Sequence, residues 1–194
     1  MNGKLLAILI ILLLAHTQAK SGESFSRLQQ FGNYKADVFK LSITGSIPLY
    51  SPIPLNSLKK DLDACSSIGL RVHPIYKIRK QHKGIDLTAS TGTPVISTIH
   101  GQVQFVGNKN NGYGNQIVLV SGIYLIRYAH LSEIATELFL VDSLGNRPKV
   151  VFGQEIGKVG STGSSTGPHL HYEIYKNGFL QNPLRYIKAD KSIF

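Results

Sequence analysis

Two short stretches of this sequence contain residue types that bind transition metals. In "HKGID", His82 and Asp86 are four residues apart, and in "HLH", His169 and His171 are two residues apart. On an extended chain, an even spacing leaves both side chains on the same face. The two stretches therefore predict two pairs of side chains, each of which can converge on one point.

The combination of these pairs indicates a catalytic metal site. Two histidines and one carboxylate with an open fourth position form a known ligand set for catalytic zinc. A fifth candidate, His130, stands in "YAHL" between the two pairs. Each motif alone is weak, because a surface strand with two histidines is a common alternative. Together they offer three ligands and two further groups for the reaction.

The other histidines stand in plainer settings. His16 directly follows an apolar N-terminal run, His73 precedes a proline, and His100 precedes a glycine in a predicted turn. We interpret His73 and His100 as structural. The single cysteine, Cys65, excludes an intramolecular disulfide, and the sequence around it offers no basic partner that would lower its pKa. We interpret it as a small buried residue.

Two other kinds of site are excluded around "GSSTGPHLHYE". A phosphate-binding P-loop needs a lysine after its glycines and a helix behind it, and here a strand pattern follows. A serine nucleophile of the Gly-x-Ser-x-Gly type has no matching sequence. The glycine-rich run is instead interpreted as a loop beside the histidines.

The N-terminus predicts export. "MNGKLLAILIILLLAHTQAK" has one lysine, an apolar run and then small residues at a possible cleavage point. This order is typical of a secretory signal peptide, and the apolar run is shorter than the roughly 20 residues of a membrane-spanning helix. We therefore expect residues 1–19 to be a signal peptide and the mature chain to have no membrane span. We expect a periplasmic rather than an extracellular location.

The net charge limits the classes of partner that the chain can bind. The chain has 194 residues and a formal net charge of +10, with 42% hydrophobic residues. An exported basic protein can meet an anionic wall polymer, a membrane surface or nucleic acid. The basic residues are scattered, and no recognition helix or RNA-binding motif is present. We therefore expect no nucleic-acid partner.

The elements that must position these residues are strands. Short β-branched and aromatic runs, separated by Gly or Asn-Gly signals, fill the chain after residue 66. Residues 20–62 give weaker, proline-punctuated signals and are interpreted as an irregular or helical N-terminal extension. The predicted fold is mainly β: one compact antiparallel β-sheet domain over residues 63–190, with loops that form a groove.

The strand-rich part resembles a known family. "HKGIDLTASTGTPVISTIHGQVQFVG", "GYGNQIVLV", "YAHLS" and "VVFGQEIGKVGSTGSSTGPHLHYEI" are similar to the lysostaphin-type (LytM-like) zinc metallopeptidases, which cut the peptide cross-links of peptidoglycan. The resemblance extends from about Ile68 to Pro183 and includes the motif spacing and the flanking glycines. It implies an antiparallel β fold with a narrow groove, one zinc ion and a peptidoglycan peptide as substrate. We expect a monomer.

The resemblance also assigns roles. It places the zinc ligands at His82, Asp86 and His171, and the two histidines beside the metal-bound water at His130 and His169. It does not divide the catalytic roles between these last two. We expect Tyr113, in "GYGN", to bind substrate, with plain packing as the alternative.

Two points remain open at this stage. Glu173 shares strand parity with His171, so an orienting group for that ligand is one interpretation, but we favour a solvated carboxylate. The loop from Ser132 to Lys149 is longer than usual for the family, which leaves one groove wall undefined.

A catalytically silent module that activates another wall hydrolase is the alternative function, and the complete set of five residues argues against it.

Overall fold

In a computed structural model of the chain, the described residues are 48, 50–62, 65, 68–72 and 75–189. The predicted signal peptide, residues 20–47 of the predicted extension and His73 lie outside them. All described residues belong to a unit that spans residues 42–194.

Twelve strands, numbered β1 to β12 in chain order, are the main regular elements of the described structure. Their bounds are Gly69–Val72, Arg79–His82, Ile85–Thr88, Pro94–Ile96, Gly101–Asn108, Asn115–Ser121, Tyr124–Leu131, Glu133–Ile134, Lys149–Val150, Glu155–Lys158, His169–Lys176 and Phe179–Gln181. Short 3-10 helices occupy Leu55–Ser57 and Thr136–Phe139, and helix α1 runs over Pro183–Ala189.

The strands form three antiparallel sheets. The largest has the order β12-β11-β7-β6-β5-β9, and β3 pairs with the first half of β11. A three-stranded sheet has the order β4-β10-β8, and β1 and β2 form a separate hairpin. The prediction of a mainly β, antiparallel fold is confirmed.

Alternation along β7 and β11 divides the main sheet into two faces. In β11, Leu170, Tyr172 and Ile174 have no exposed surface and join the apolar core. The residues between them point to the opposite face. In β7, Tyr128 lies opposite Tyr172, so it belongs to the core face. We call the opposite face, which carries His171, the site face.

The described part of the predicted extension contributes to the core. Ile53 and Leu62 are buried in the main apolar cluster. Ile96 N donates a hydrogen bond to Pro52 O, and Lys59 N donates one to Thr88 O. Residues 50–62 therefore pack directly on the strands, while the domain boundaries themselves stay predictions.

The long loop after β7 has some regular structure. It contains β8, which pairs with β10, and the 3-10 helix Thr136–Phe139, whose Leu138 is fully buried. Asp142 then accepts hydrogen bonds from the backbone N–H groups of Leu144 and Asn146 and closes a turn. Within the described residues, no helix has the length and apolarity needed to cross a bilayer.

Candidate metal centre

Three predicted ligands meet at one point. His82 Nε2 lies 3.1 Å from Asp86 Oδ1 and 3.1 Å from His171 Nδ1, and His171 Nδ1 lies 2.9 Å from Asp86 Oδ1. His82 and His171 are buried and Asp86 is nearly so. Among the residues that the structure describes, these three form the group of His, Cys, Asp and Glu able to hold a metal ion.

Strand register explains how the ligands meet. Asp86 of β3 lies directly opposite His171 of β11, so both side chains project from the same face. His82 is the last residue of β2, and Lys83 and Gly84 connect it to β3. A Cβ at Gly84 would lie 2.4 Å from Tyr172 O and 2.9 Å from His171 Nε2. Only glycine allows the backbone to pass so close to the ligand.

The "HKGID" pair converges by a different route from the one predicted. We expected His82 and Asp86 to share a face of one extended segment. The structure instead places them on two strands with different partners, because β2 pairs with β1 and β3 pairs with β11. The chain turns at Lys83 and Gly84, and this turn brings the two side chains together.

The spacing of the three donor atoms fits a tetrahedral ion. Two ligands bound at about 2.0–2.1 Å with tetrahedral angles lie roughly 3.3 Å apart. The three separations here are 2.9 to 3.1 Å. Two imidazole nitrogens and one carboxylate oxygen match the donors of a catalytic zinc site, which keeps its fourth position open. The residues present therefore fit zinc.

The electrostatics of the cluster favour a positive charge at its centre. Burial raises the pKa of Asp86, but hydrogen bonds and charge from His171 and His82 outweigh burial and hold this pKa well below its ordinary value. Burial lowers the pKa of His171, and Asp86 and Glu173 raise it above its ordinary value. The two carboxylates thus attract a cation to the imidazoles, whether a proton or a metal ion.

Arg71 restricts how Asp86 can bind. Its Nη2 lies 2.9 Å from Asp86 Oδ2, while the imidazoles contact Oδ1. With one oxygen committed to the guanidinium, Asp86 offers the other to a metal. Arg71 was missed as a functional residue at the sequence level. It lies in β1, next to the short segment 73–74 that is outside the described residues.

His169 lies beside the three ligands. Its Nε2 is 3.6 Å from Asp86 Oδ1, and its Nδ1 donates to Gly167 O at 2.8 Å. The carbonyl fixes which nitrogen carries the hydrogen and turns Nε2 toward the cluster. His169 and His171 therefore share the site face but make different contacts.

A β-bulge brings His130 to the same site. Ala129 lies opposite His171, so regular alternation would turn His130 toward the core. Between the pairs Asn115–Leu131 and Ile117–Tyr128, two β7 residues face one β6 residue, and His130 has a φ of 64°. This left-handed backbone conformation re-aims the ring, as bulges do near active sites. Sequence spacing gives no signal for it.

The rings of His130 and His169 lie in tilted contact near the ligands. Their centroids are 4.7 Å apart, and the His130 ring lies 5.8 Å from that of His171. His130 Nδ1 donates to Thr162 O at 2.7 Å, which leaves Nε2 as the second ring nitrogen. Burial, followed by the charge of His169, lowers the pKa of His130 to about 4. The ring is therefore neutral at pH 7.

The glycine-rich loop orients both of these histidines. Thr162 supplies the carbonyl that accepts from His130, and Gly167 supplies the carbonyl that accepts from His169. The Thr162 hydroxyl also donates to Leu131 O and accepts from Asn115 N. At the sequence level this run was interpreted only as a loop beside the histidines, so its positioning role was missed.

Tyr113 and Glu173 lie behind His171. The Tyr113 hydroxyl donates to Glu173 Oε1 at 2.6 Å, and Glu173 has no exposed surface. The interpretation of Glu173 as a solvated carboxylate is wrong, because the side chain is buried against His171 Nε2 at 3.1 Å. Burial and Glu173 together raise the pKa of Tyr113 well above its ordinary value. Substrate binding by Tyr113 stays a prediction.

His100 and Cys65 lie among structural contacts. His100 Nδ1 accepts a hydrogen bond from Phe152 N at 3.1 Å, and burial lowers the pKa of His100. Cys65 is buried in the main apolar cluster. Both placements agree with the structural interpretations made from the sequence.

Comparison with known proteins identifies the family. Residues 80–183 match the sequence pattern of peptidase family M23. The chain belongs to peptidase family M23. The matched range is more than half of the chain and contains His82, Asp86, His130, His169 and His171. The predicted resemblance to lysostaphin-type peptidases is confirmed.

Two relatives of this M23 chain differ in their described activity. The DD-carboxypeptidase/endopeptidase Mpg of Neisseria meningitidis is 41% identical over 138 residues, which are 66% of this chain and 30% of Mpg. The murein hydrolase activator NlpD of Escherichia coli is 40% identical over 107 residues, 55% of this chain and 26% of NlpD. The chain thus spans less than a third of the length of either relative.

Solved structures of other peptidases share the fold. The catalytic domain of the antimicrobial peptidase lysostaphin from Staphylococcus simulans aligns with a TM-score of 0.57 at 32% identity, covering 72% of this chain and 98% of that domain. A zinc-containing peptidase from Vibrio cholerae aligns with a TM-score of 0.50 at 34% identity, covering 60% of this chain and 34% of that chain. The antiparallel β fold of the M23 chain is thus shared with peptidases.

Proposed function

We propose that this chain is an exported zinc-dependent metalloendopeptidase that hydrolyses stem or cross-link peptides of bacterial peptidoglycan. The observation that carries the proposal is the convergence of His82, Asp86 and His171, with His130 and His169 beside them. Three residues supply the donors of a zinc site, and two imidazoles remain for proton transfer.

The three donors would hold zinc through His82 Nε2, Asp86 Oδ1 and His171 Nδ1. The ion supplies Lewis-acid polarisation of the scissile carbonyl and activation of a water molecule. Arg71 holds the second oxygen of Asp86, which keeps that carboxylate in one orientation. Burial of the two histidine ligands excludes bulk water and strengthens each of these electrostatic contacts.

His130 and His169 are the candidates for general acid–base catalysis. The chain lacks a His-Glu-x-x-His helix, so its base is not the glutamate of that motif. At pH 7 His130 is neutral and can accept a proton on Nε2, because its Nδ1–H is committed to Thr162 O. His169 has the same arrangement, with Nδ1 held by Gly167 O. Each ring can take a proton from the attacking water or donate to the tetrahedral intermediate.

Substrate class and location rest on the relatives and the composition. Mpg is named a DD-carboxypeptidase/endopeptidase, and peptidoglycan peptides are the class of substrate that such an activity implies. The basic net charge of this chain suits an anionic wall polymer, and its N-terminal sequence suits export to the periplasm. The proposed enzyme acts as a monomer with one zinc ion.

A peptidoglycan digest tests the proposal. The mature chain would be loaded with zinc and incubated with purified peptidoglycan, and the fragments analysed by mass spectrometry. We expect cleaved peptides with intact glycan strands, and no products after chelation of zinc. Cleavage of glycan strands alone, or no product at any pH with zinc present, would refute the enzyme.

Activation of another wall hydrolase is the second candidate, because NlpD is named as such an activator. The two functions separate in one assay, in which the chain is added to peptidoglycan with and without a wall amidase. An activator would release fragments only with the amidase, and His130→Ala would not change that release. We expect direct cleavage that His130→Ala removes.

A further inference from the structure

A buried carboxylate behind the metal centre takes no part in the mechanism above. Glu173 has no exposed surface, although an isolated buried carboxylate is costly. It lies two residues after His171 on the same face of β11. The desolvation cost of this buried charge must be offset by specific partners.

The two nitrogens of His171 face different groups. Nδ1 lies 2.9 Å from Asp86 Oδ1 and 3.1 Å from His82 Nε2, at the centre of the ligand cluster. Nε2 lies 3.1 Å from Glu173 Oε1. A carboxylate only accepts hydrogen bonds, so Nε2 carries the hydrogen and Nδ1 presents its lone pair to the cluster. Glu173 thereby fixes the tautomer that a ligand at Nδ1 requires.

Further contacts hold Glu173 in place. Its Oε1 also accepts from the Tyr113 hydroxyl at 2.6 Å, and Arg127 Nε lies 3.0 Å from Oε2 as an ion pair that is not aligned as a hydrogen bond. The Arg127 guanidinium stacks 4.2 Å from the centre of the Tyr113 ring and donates to Gln116 Oε1 at 2.6 Å. The carboxylate is thus confined by a cation and an O–H donor on neighbouring segments.

We propose that Glu173 is a positioning residue of the metal centre, and that Tyr113 and Arg127 hold its carboxylate against His171. The carboxylate orients the imidazole, fixes its tautomer and increases its basicity, so it raises the affinity of the site for zinc. This arrangement is a carboxylate–histidine–metal triad, in which loss of the outer partner typically costs 10- to 100-fold in metal affinity. The inference rests on the proposed function, since it deepens the same site.

The surroundings require a charged carboxylate rather than an amide. The imidazole of His171 and the hydroxyl of Tyr113 donate hydrogen bonds to Glu173, and the guanidinium of Arg127 lies beside Oε2 as the cation of an ion pair. A glutamine with its oxygen toward His171 would turn its NH₂ toward Arg127, where two donors would meet. An amide also lacks the negative charge that increases the basicity of the imidazole.

The test measures zinc affinity, by competition with a chelating dye, for the full mature chain and its variants. We expect Glu173→Gln to weaken zinc binding about tenfold and Glu173→Ala by up to about 100-fold. Tyr113→Phe, which removes one of the donors to Oε1, should weaken it by less than Glu173→Gln. Cobalt substituted for zinc should show a shifted visible spectrum in Glu173→Gln, because the His171 ligand is no longer fixed.

Two control variants separate positioning from general damage. Glu137→Gln removes the same charge from an exposed position, and Ile174→Val removes a methyl group from the core face next to Glu173. Both should keep the wild-type zinc affinity and cobalt spectrum, although Ile174→Val should lower stability. Unchanged zinc affinity in both Glu173 variants would overturn the positioning role alone. Failure of the wild-type chain to bind zinc would overturn the proposed function as well.

Discussion

The two faces of β11 are both buried at the centre of the strand but hold different chemistry. On the core face, Tyr172 has no exposed surface and packs among Leu170 and Ile174. On the site face, Glu173 is also fully buried and His171 is nearly so. One strand thus places an apolar core and a charged cluster on its opposite sides, one residue apart.

The polar atoms of the two faces are satisfied in different ways. In the core, the hydroxyls of Tyr128 and Tyr172 both lie 2.8 Å from the hydroxyl of Thr98, a closed group of neutral hydrogen bonds. On the site face, Glu173 and Asp86 are each held by an arginine and an imidazole. Apolar burial stabilises the core face. On the site face, hydrogen bonds and ion pairs hold the polar side chains in fixed orientations. We expect substitutions on the two faces to affect different measurements.

The largest expected effect comes from the site face. His130→Ala should lower peptidase activity by about 10²- to 10⁴-fold, because a proton-transfer group is lost, while the zinc content stays at one ion per chain. His82→Ala should remove both activity and zinc. Zinc content is measured by atomic absorption after dialysis. Equal zinc loss in the two variants would refute the division between ligands and catalytic histidines.

Substitutions on the core face should instead lower the stability of the fold. Leu170 is fully buried between His169 and His171, so Leu170→Ala should lower the free energy of unfolding by about 2–5 kcal/mol. Urea unfolding of the zinc-free chain measures this. The zinc affinity of the folded variant should change by less than about tenfold. A large loss of affinity with little loss of stability would mean that the two faces are not separate.

Gly84 packs against β11 beside both the backbone of Tyr172 and the ring of His171. An alanine Cβ there would approach the carbonyl of Tyr172 and the ring of His171, so Gly84→Ala should displace a ligand and weaken zinc binding by about tenfold. Gly101→Ala is a matched control, because its Cβ would lie 2.8 Å from Val120 O. The control should lower stability without weakening zinc binding by the folded chain. Equal zinc affinity in both glycine variants would contradict the close-approach argument.

The smallest expected effect concerns a histidine placed outside the ligand cluster. Burial lowers the pKa of His100 from its ordinary value of 6.5, and the neutral ring accepts from Phe152 N. The unfolded chain therefore binds a proton first as the pH falls. The contribution of His100 to stability is complete above pH 6.5 and is lost as the pH falls from there through the lowered pKa.

His100→Asn tests this effect, because the amide oxygen can still accept from Phe152 N but does not titrate. The loss of stability between pH 7.5 and pH 5, measured by urea unfolding, should be slightly smaller in the variant than in the wild type. An identical loss in both chains would show that His100 does not contribute to the pH dependence.

The sequence predicted the strand class and the five candidate residues for physical reasons that are local, whereas the choice of the three ligands among them came from the family resemblance. Alternation in "HLHYEIY" separates His169, His171 and Glu173 from the apolar residues between them, and β11 follows this pattern. The same parity places Glu173 on the face of His171. Local pattern was insufficient to show that Glu173 is buried, because Tyr113 and Arg127 come from distant positions in the chain.

Other parts of the site depend on backbone geometry that composition does not encode. His130 reaches the site through a bulge with a φ of 64°, and regular alternation in "YAHL" would predict the opposite face. His82 and Asp86 approach across a turn between two strands, although their spacing also suits a single strand. The first feature arises from the register of the β6–β7 pair, and the second from the different pairing partners of β2 and β3.

The loops around Tyr113 and Thr162 are locked together by their backbones. A Cβ at Gly163 would lie 2.3 Å from Gly114 N, and one at Gly114 would lie 2.4 Å from the Thr162 carbonyl carbon. Ser164 N also donates to Gly112 O. A chimera that takes one of these loops from a relative must take the other with it. For anyone who exchanges segments to alter cleavage specificity, residues 109–114 and 160–167 form one transferable part.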